Sequence, residues 1–369
     1  MRPYPLLAWL LILLLANIVA PAHAGSLPAP PAQATVGGLT LPPPKAGRLR
    51  PLVVVVAEND GAETTDFIIP YGVLKDSGLA EVRSLSTGPG PVRLRMALRI
   101  QADQTLAQFD AAEPAGADIV IVPAQMAPKD PVLTAWVAAQ ARKGATIVSI
   151  CEGARVLAAA GLLDGRRATT HFSAMRGLEK AYPATTWVRD RRYLQDGPII
   201  TTTGVTASIP ASLALVEAMG GRGAAQALAD RLGAGDWSPA HHTADFQITW
   251  RDYLRGLGNL LVFWRHETVE ASITDGTDEI ALALWADSFQ RSFRTRVVAT
   301  RPGLAPVRSL RGLIVIPDDE PRAGRYRLPV EPGPSAGQLD LALRTLRGRY
   351  GEGSARLAWL GLEYDGPER

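Results

Sequence analysis

The chain has 369 residues, 47% of them apolar, which is enough for a sizeable core and for two or three domains. A formal charge of +3, with no basic run, gives nucleic-acid binding no electrostatic support. A single cysteine excludes an internal disulfide in any compartment.

The N-terminus has the pattern of a targeting segment. Arg2 supplies a minimal positive region, Leu6 to Ala20 is almost wholly apolar, and Ala22-His23-Ala24 forms a small-x-small cleavage pattern. Residues 1–24 are therefore expected to be a signal peptide, with Gly25 first in the mature chain. The apolar run is shorter than the ~20 residues of a spanning helix, so an uncleaved anchor is the minority reading. No cysteine follows it, so lipid attachment there is excluded. The expectation is an exported protein, periplasmic or secreted, without membrane contact after cleavage. Residues 25–48, rich in Pro and Ala, read as an extended leader.

The body alternates strand and helix. The pattern predicts strands at 52–57 and 80–85 around a helix at 66–77, a strand at 118–122, a helix at 131–142 and a strand at 145–150. A helix at 154–160 ends at Gly161, strands follow at 167–172, 186–193 and 198–203, and a helix at 207–219 stops at Gly220-Gly221. Strands joined by crossover helices make a flavodoxin-like, doubly wound α/β sheet with ligands at the carboxyl ends of its strands. This unit is assigned to residues 49–222. Residues 223–266 read as a helical, aromatic-rich connector packing on it. His241-His242 lies there, but adjacent side chains diverge on a helix and no further ligand cluster accompanies them, so no metal or other cofactor is expected.

Residues 267–369 form a second, smaller α/β lobe that reads as a degenerate partial repeat. Laying Asp275-Gly276 on Asp60-Gly61 without gaps matches Val54 with Val269, Ser77 with Ser292, and Val82 with Val297. It also matches Gly88 with Gly303, Leu98 with Leu313, Asp103 with Asp318, and Pro91-Val92-Arg93 with Pro306-Val307-Arg308. This copy has no cysteine.

Cys151 lies between a buried strand and a helix, over the first amides of that helix, where the dipole favours the reactive thiolate. A depressed thiol pKa is expected on that ground; a buried structural cysteine is the alternative. Asp66 in the first turn of its helix, if buried beside a thiolate, has a raised pKa and can move a proton; otherwise it is an ordinary helix-start acid. His171 reads either as a proton partner of the thiol or as a satisfied core histidine. Glu58 and Glu63 read as solvated loop acids.

Cys151-Glu152-Gly153-Ala154, followed by Ala160-Gly161-Leu162-Leu163-Asp164-Gly165-Arg166-Arg167-Ala168-Thr169-Thr170-His171, resembles the ThiJ/PfpI family, which has the class I glutamine-amidotransferase-like fold. The likeness covers about residues 50–222 and is strongest to the isonitrile-hydratase branch and to sensor domains of AraC-type regulators. It implies that Cys151 is faced by an acid four positions before a proline, here Asp66 before Pro70, and that His171 is the family's histidine. It also implies substrate contacts at Glu152, Gly153, Ala124, Thr203 and Gly204. Two departures stand out. Pro123-Ala124-Gln125 replaces the family's Pro-Gly-Gly, whose amides often help build the oxyanion hole. Glu152 stands where the hydratase branch usually has Thr, and is expected to point outward into solvent.

Together these features imply an exported protein with a nucleophilic cysteine, a hydratase or hydrolase for a small electrophilic substrate if it is an enzyme. The alternatives are a non-catalytic small-ligand module like the regulators' sensor domains, or a thiol-oxidation sensor or protective protein. A small molecule is the expected partner, and a homodimer is left open.

Overall fold

A computed structural model describes residues 38–95 and 97–367. The signal-peptide expectation and most of the leader lie outside the described residues. The chain forms a mixed α/β fold around a seven-stranded sheet. Its strand order is Tyr193–Asp196, Ile199–Thr202, Thr146–Ser149, Ile119–Val122, Leu52–Ala57, Glu81–Ser86, Gln104–Thr105. All neighbours are parallel except Tyr193–Asp196, which runs against Ile199–Thr202.

The run Leu52–Ala57 is continuously apolar because both of its faces are covered. Val53, Val55 and Ala57 enter one apolar core, and Leu52, Val54 and Val56 enter the other. After Leu52–Ala57 the chain adds strands outward on one side. It then returns to place Ile119–Val122 and Thr146–Ser149 on the other side. The strand order reverses beside Leu52–Ala57, and the segments carrying Asp66, Ala124 and Cys151 all leave the sheet at its carboxyl edge there.

Three predicted elements differ. The strand expected at 167–172 is only Arg167–Ala168, because His171 caps a helix that Phe172 opens and that runs to Ala181. The single strand expected at 186–193 is broken, because Asp190 adopts a left-handed φ of 60°. Thr186–Trp187 pairs with Arg167–Ala168, and Tyr193–Asp196 joins the main sheet. The helix expected to stop at Gly220-Gly221 only breaks at Gly221 (φ 81°, ψ 167°), and helical structure resumes to Leu232 before Gly233 closes it.

In the second lobe, Glu267–Ser272 lies parallel between Thr295–Thr300 and Tyr326–Arg327. The pairings repeat those of the first lobe at the aligned positions. Val92 faces Ile100 in one hairpin and Val307 faces Val315 in the other. Asp103 Oδ2 accepts from Ser84 N at 2.8 Å, and Asp318 Oδ2 accepts from Ala299 N at 3.0 Å. Direction and pairing therefore agree for the first two parallel strands and the hairpin, while Tyr326–Arg327 has no strand counterpart, since 111–112 lie in the helix Leu106–Ala112.

The copies also meet each other. Ile314–Ile316 pairs antiparallel with Leu98–Gln101, with Val315 opposite Ile100, its own counterpart in the alignment. The helices Thr64–Ser77 and Glu279–Gln290, counterparts as well, pack together; a Cβ on Gly72 would strike Ile280. A local two-fold relation thus passes through both contacts.

Candidate active site

Cys151 opens a three-residue 3-10 turn (Cys151–Gly153) that leads directly into the short helix Ala154–Ala159. Its φ of 56° is the left-handed conformation that a non-glycine residue adopts at a cost, and it is 6% exposed. The elbow is held by its backbone. Cys151 N donates to Thr203 O at 3.1 Å and Thr202 Oγ1 at 3.2 Å, and Cys151 O accepts from Thr170 Oγ1 at 3.0 Å. Gly153 is required because a Cβ there would overlap the Val122 carbonyl.

Asp66 is fully buried in the first turn of Thr64–Ser77. Its Oδ2 accepts from Ala124 N at 3.2 Å, and its Oδ1 has no partner. The Ala124 amide, a candidate oxyanion donor, is therefore directed at Asp66.

The second lobe supplies the balancing charge. Arg291, just past Glu279–Gln290, donates to Glu63 Oε1 at 2.8 Å and to Asp287 Oδ1 at 2.9 Å. Thr65 Oγ1 donates to Asp287 Oδ2 at 3.0 Å, and Arg95 stands 3.9 Å from Glu63. Glu63 and Glu58 are buried, contrary to the solvated acids expected; Glu58 Oε1 accepts from Ala127 N at 2.6 Å. No apolar or charge pattern marks Arg291 or Asp287 as site residues. The alignment with the first lobe is the one sequence feature that brings them near, since it overlays their helix on the helix of Asp66.

Burial pushes the Cys151 thiol well up, and the Asp66, Glu152 and Glu63 carboxylates push it further; Arg291 opposes them. This reverses the depressed pKa expected from the helix start. A three-residue turn feeding a six-residue helix offers little dipole against three acids. Asp66 is raised well above an ordinary carboxyl, by burial first and then by Glu63. Thiol and carboxyl therefore stay protonated to higher pH than free groups do.

Glu152 is not solvated as expected. Burial works against its charge, but Arg155, at 2.6 Å, and His171 outweigh that and hold its pKa below the usual range.

His171 begins the helix Phe172–Ala181, with Nδ1 2.7 Å from Ser173 Oγ. Its Nε2 has no hydrogen-bond partner and lies 4.0 Å from Glu363 Oε2, and burial lowers its pKa. Glu363, also from the second lobe, accepts from Gly204 N at 2.6 Å and meets His241 Nε2 at 2.9 Å. Gly204 thus presents its amide to Glu363, while Thr203 uses its carbonyl on the elbow. His241 is buried by this contact and His242 is exposed. Among the described residues no group of three or more His, Cys, Asp or Glu is arranged to hold a metal ion. A cleft of about 440 Å³ lined by Thr40, Pro42, Thr146 and Pro198 lies at the amino edge of the sheet, away from the thiol.

A doubly wound sheet with a strained cysteine elbow at its carboxyl edge, one strand from the reversal, defines the class, and comparison with known proteins gives the family. The DJ-1/PfpI family model matches residues 52–218. The Parkinson disease protein 7 homolog of Danio rerio is 30% identical over 184 residues, 47% of this chain and 92% of that protein. The chain belongs to the DJ-1/PfpI family. Isonitrile hydratase of Pseudomonas putida is 37% identical over 105 residues, 28% of this chain and 43% of the hydratase. The HTH-type transcriptional regulator CdhR of Pseudomonas aeruginosa is 36% identical over 135 residues, 36% of this chain. The chain spans 38% of that regulator's length. A DJ-1 superfamily protein structure from Salmonella typhimurium aligns with a TM-score of 0.45 at 25% identity, covering 50% of this chain and 99% of that one.

Proposed function

We propose that the protein is an exported, cysteine-dependent hydratase or hydrolase for a small electrophilic substrate. The observation that carries this reading is the pair formed by Cys151 on its left-handed elbow and the buried Asp66, whose Oδ1 lacks a partner. After burial, Asp66 is the neighbouring group that does most to raise the thiol pKa, which ties the carboxyl to the sulfur. A polar atom left unsatisfied in a dry site costs about 1–3 kcal/mol, which a substrate group or a transferred proton would recover.

In the proposed step the sulfur bonds to the electrophilic carbon as the thiol proton passes to Asp66, replacing the proton that Asp66 gives up. Asp66 delivers a proton to the substrate atom that takes up the electron pair. Water then attacks the same carbon, the carbon–sulfur bond breaks, and the proton shed by the water returns to the sulfur, so the net change is the addition of water. His171, Glu152, Gly153, Ala124, Thr203 and Gly204 line or support this centre. Export rests on Arg2, Leu6 to Ala20 and the Ala22-His23-Ala24 pattern.

The second reading is a ligand-binding module. It is favoured by the near-complete burial of a protonated thiol and by the likeness to CdhR. A thiol-oxidation sensor is disfavoured, because oxidation follows thiolate character and exposure.

The test is turnover of small unsaturated electrophiles, isonitriles included, by the wild type, Cys151→Ser and Asp66→Asn. Loss of turnover in Cys151→Ser, with faster alkylation of the sulfur in Asp66→Asn, supports the enzyme. Equal ligand binding by wild type and Cys151→Ser without turnover moves the assignment to the binding module.

A further inference from the structure

The helix Trp250–Leu261 is built inside out. The residues it buries are Asp252, Gly256 and Asn259. Asp252 is capped by Thr249 and paired with Arg356 at 2.7 Å, and Asn259 Nδ2 donates to Ser292 O at 2.9 Å. The opposite face is apolar and open to solvent. Trp250 is 66% exposed, Leu254 56% and Leu261 61%, and the turn that follows adds Phe263 and Trp264 at 64% and 69%. The sequence reading packed these aromatics onto the first lobe. In the structure Trp237 and Phe246 do pack inside, while Trp250, Phe263 and Trp264 face outward.

The charges on this face are of one sign. Arg251, Arg255 and Arg265 are exposed between the apolar side chains, and Asp252, the sole acid between 250 and 265, is buried and already paired. The neighbouring Glu352 is engaged by Arg347 at 2.8 Å. Tryptophans at both ends, leucines between them and arginines along the rim match the boundary between anionic headgroups and acyl chains. A helix from a partner protein would call for charges of both signs along its rim. Water alone accounts for neither the apolar face nor the polar buried one.

We propose that the face formed by Trp250, Leu254, Leu261, Phe263 and Trp264, rimmed by Arg251, Arg255 and Arg265, docks the protein on an anionic lipid bilayer. The helix lies in the membrane plane and does not cross it; among the described residues no helix is long and apolar enough to span a membrane. This departs from the expectation of no membrane contact after export.

The test is hydrogen exchange of the full chain with vesicles of phosphatidylcholine, with and without phosphatidylglycerol. Because the readout is confined to the amides of 250–265, insertion of Leu6 to Ala20 does not mimic it. Slowed exchange there on phosphatidylglycerol vesicles is expected. Affinity should fall roughly a hundredfold when Arg251, Arg255 and Arg265 are changed to Glu, each arginine contributing about fivefold. A second variant, Trp250→Ser with Trp264→Ser, should lose the protection at unchanged circular dichroism. No protection by vesicles, equal protection by phosphatidylcholine alone, or protection without lipid through self-association would each overturn the proposal.

Discussion

Replacing Arg291 with Met tests whether the second lobe is part of the cysteine site. The guanidinium lies 2.8 Å from Glu63 and 2.9 Å from Asp287, and both carboxylates are almost wholly buried. Methionine fills much of the volume but leaves two negative charges without their shared cation. Removing one partner of a buried pair costs about 3–5 kcal/mol, whereas an exposed pair costs up to about 1 kcal/mol. The loss should depend on pH. Burial pushes Asp287 up to about 7 even with Arg291 present, so the variant takes up a proton more readily still. The variant's folded state then binds more protons than the wild type's. Its deficit therefore closes as pH falls, by about 1.4 kcal/mol per unit for one proton. Urea denaturation between about pH 5 and 8 measures this, and alkylation of Cys151 in the same samples should be slower at every pH, since Arg291 is the cation that opposes the carboxylates around the thiol. A deficit below about 1 kcal/mol that does not change with pH would refute the reasoning. It would mean that Arg291 is solvated and that the lobe does not seat its helix against the Asp66 turn.

Gly153→Ala should destabilise by about 3 kcal/mol or more, because its Cβ would overlap the Val122 carbonyl and overpacked backbone cannot yield as a side chain can; a thermal melt decides it, and a Tm within a few degrees of wild type would be incompatible with this elbow. For the wild type, Asp66 and Asp287 have raised folded pKa values, so the folded state binds more protons than the unfolded chain above about pH 4, and stability should fall as pH rises toward and past 7. His171, lowered by burial, opposes this below about 6.5, but it is one group against two. Maximal Tm should therefore lie on the acid side of neutrality; a steady rise from about pH 5 to 8 would contradict the raised carboxyls.

Much of the fold is legible because period and punctuation are local. Leu52–Ala57 and Pro131–Arg142 begin and end where their apolar runs and the Asp130-Pro131 cap place them. Cys151 and Asp66 are legible for the same reason, since each sits at a strand-to-helix junction and the parallel sheet brings such junctions to one edge. The thiol's pKa direction was not legible. It depends on burial and on Glu63, Glu152 and Arg291, which are distant in sequence or face inward for tertiary reasons. Glu363 was equally hidden. It follows a helix near the end of the chain and reaches His241 and the Gly204 amide only through the packing of the two lobes. The outward aromatics of Trp250–Leu261 were misplaced because an apolar stripe in a sequence marks a face, not the solvent or partner that the face meets.

The seam at Ile100 and Val315 also bears on how this site could diverge. Two identical subunits meeting across a two-fold axis must carry the same residue at each aligned position and separate on dilution. Here both halves belong to one chain, so the contact persists at any concentration and the aligned positions are free to differ. Asp76 aligns with Arg291, Gly72 with Asp287, and Asp66 with Ala281. One half kept the cysteine and its acid. The other lost both and supplies a cation at a position where its counterpart carries an anion, an arrangement closed to any symmetric pair.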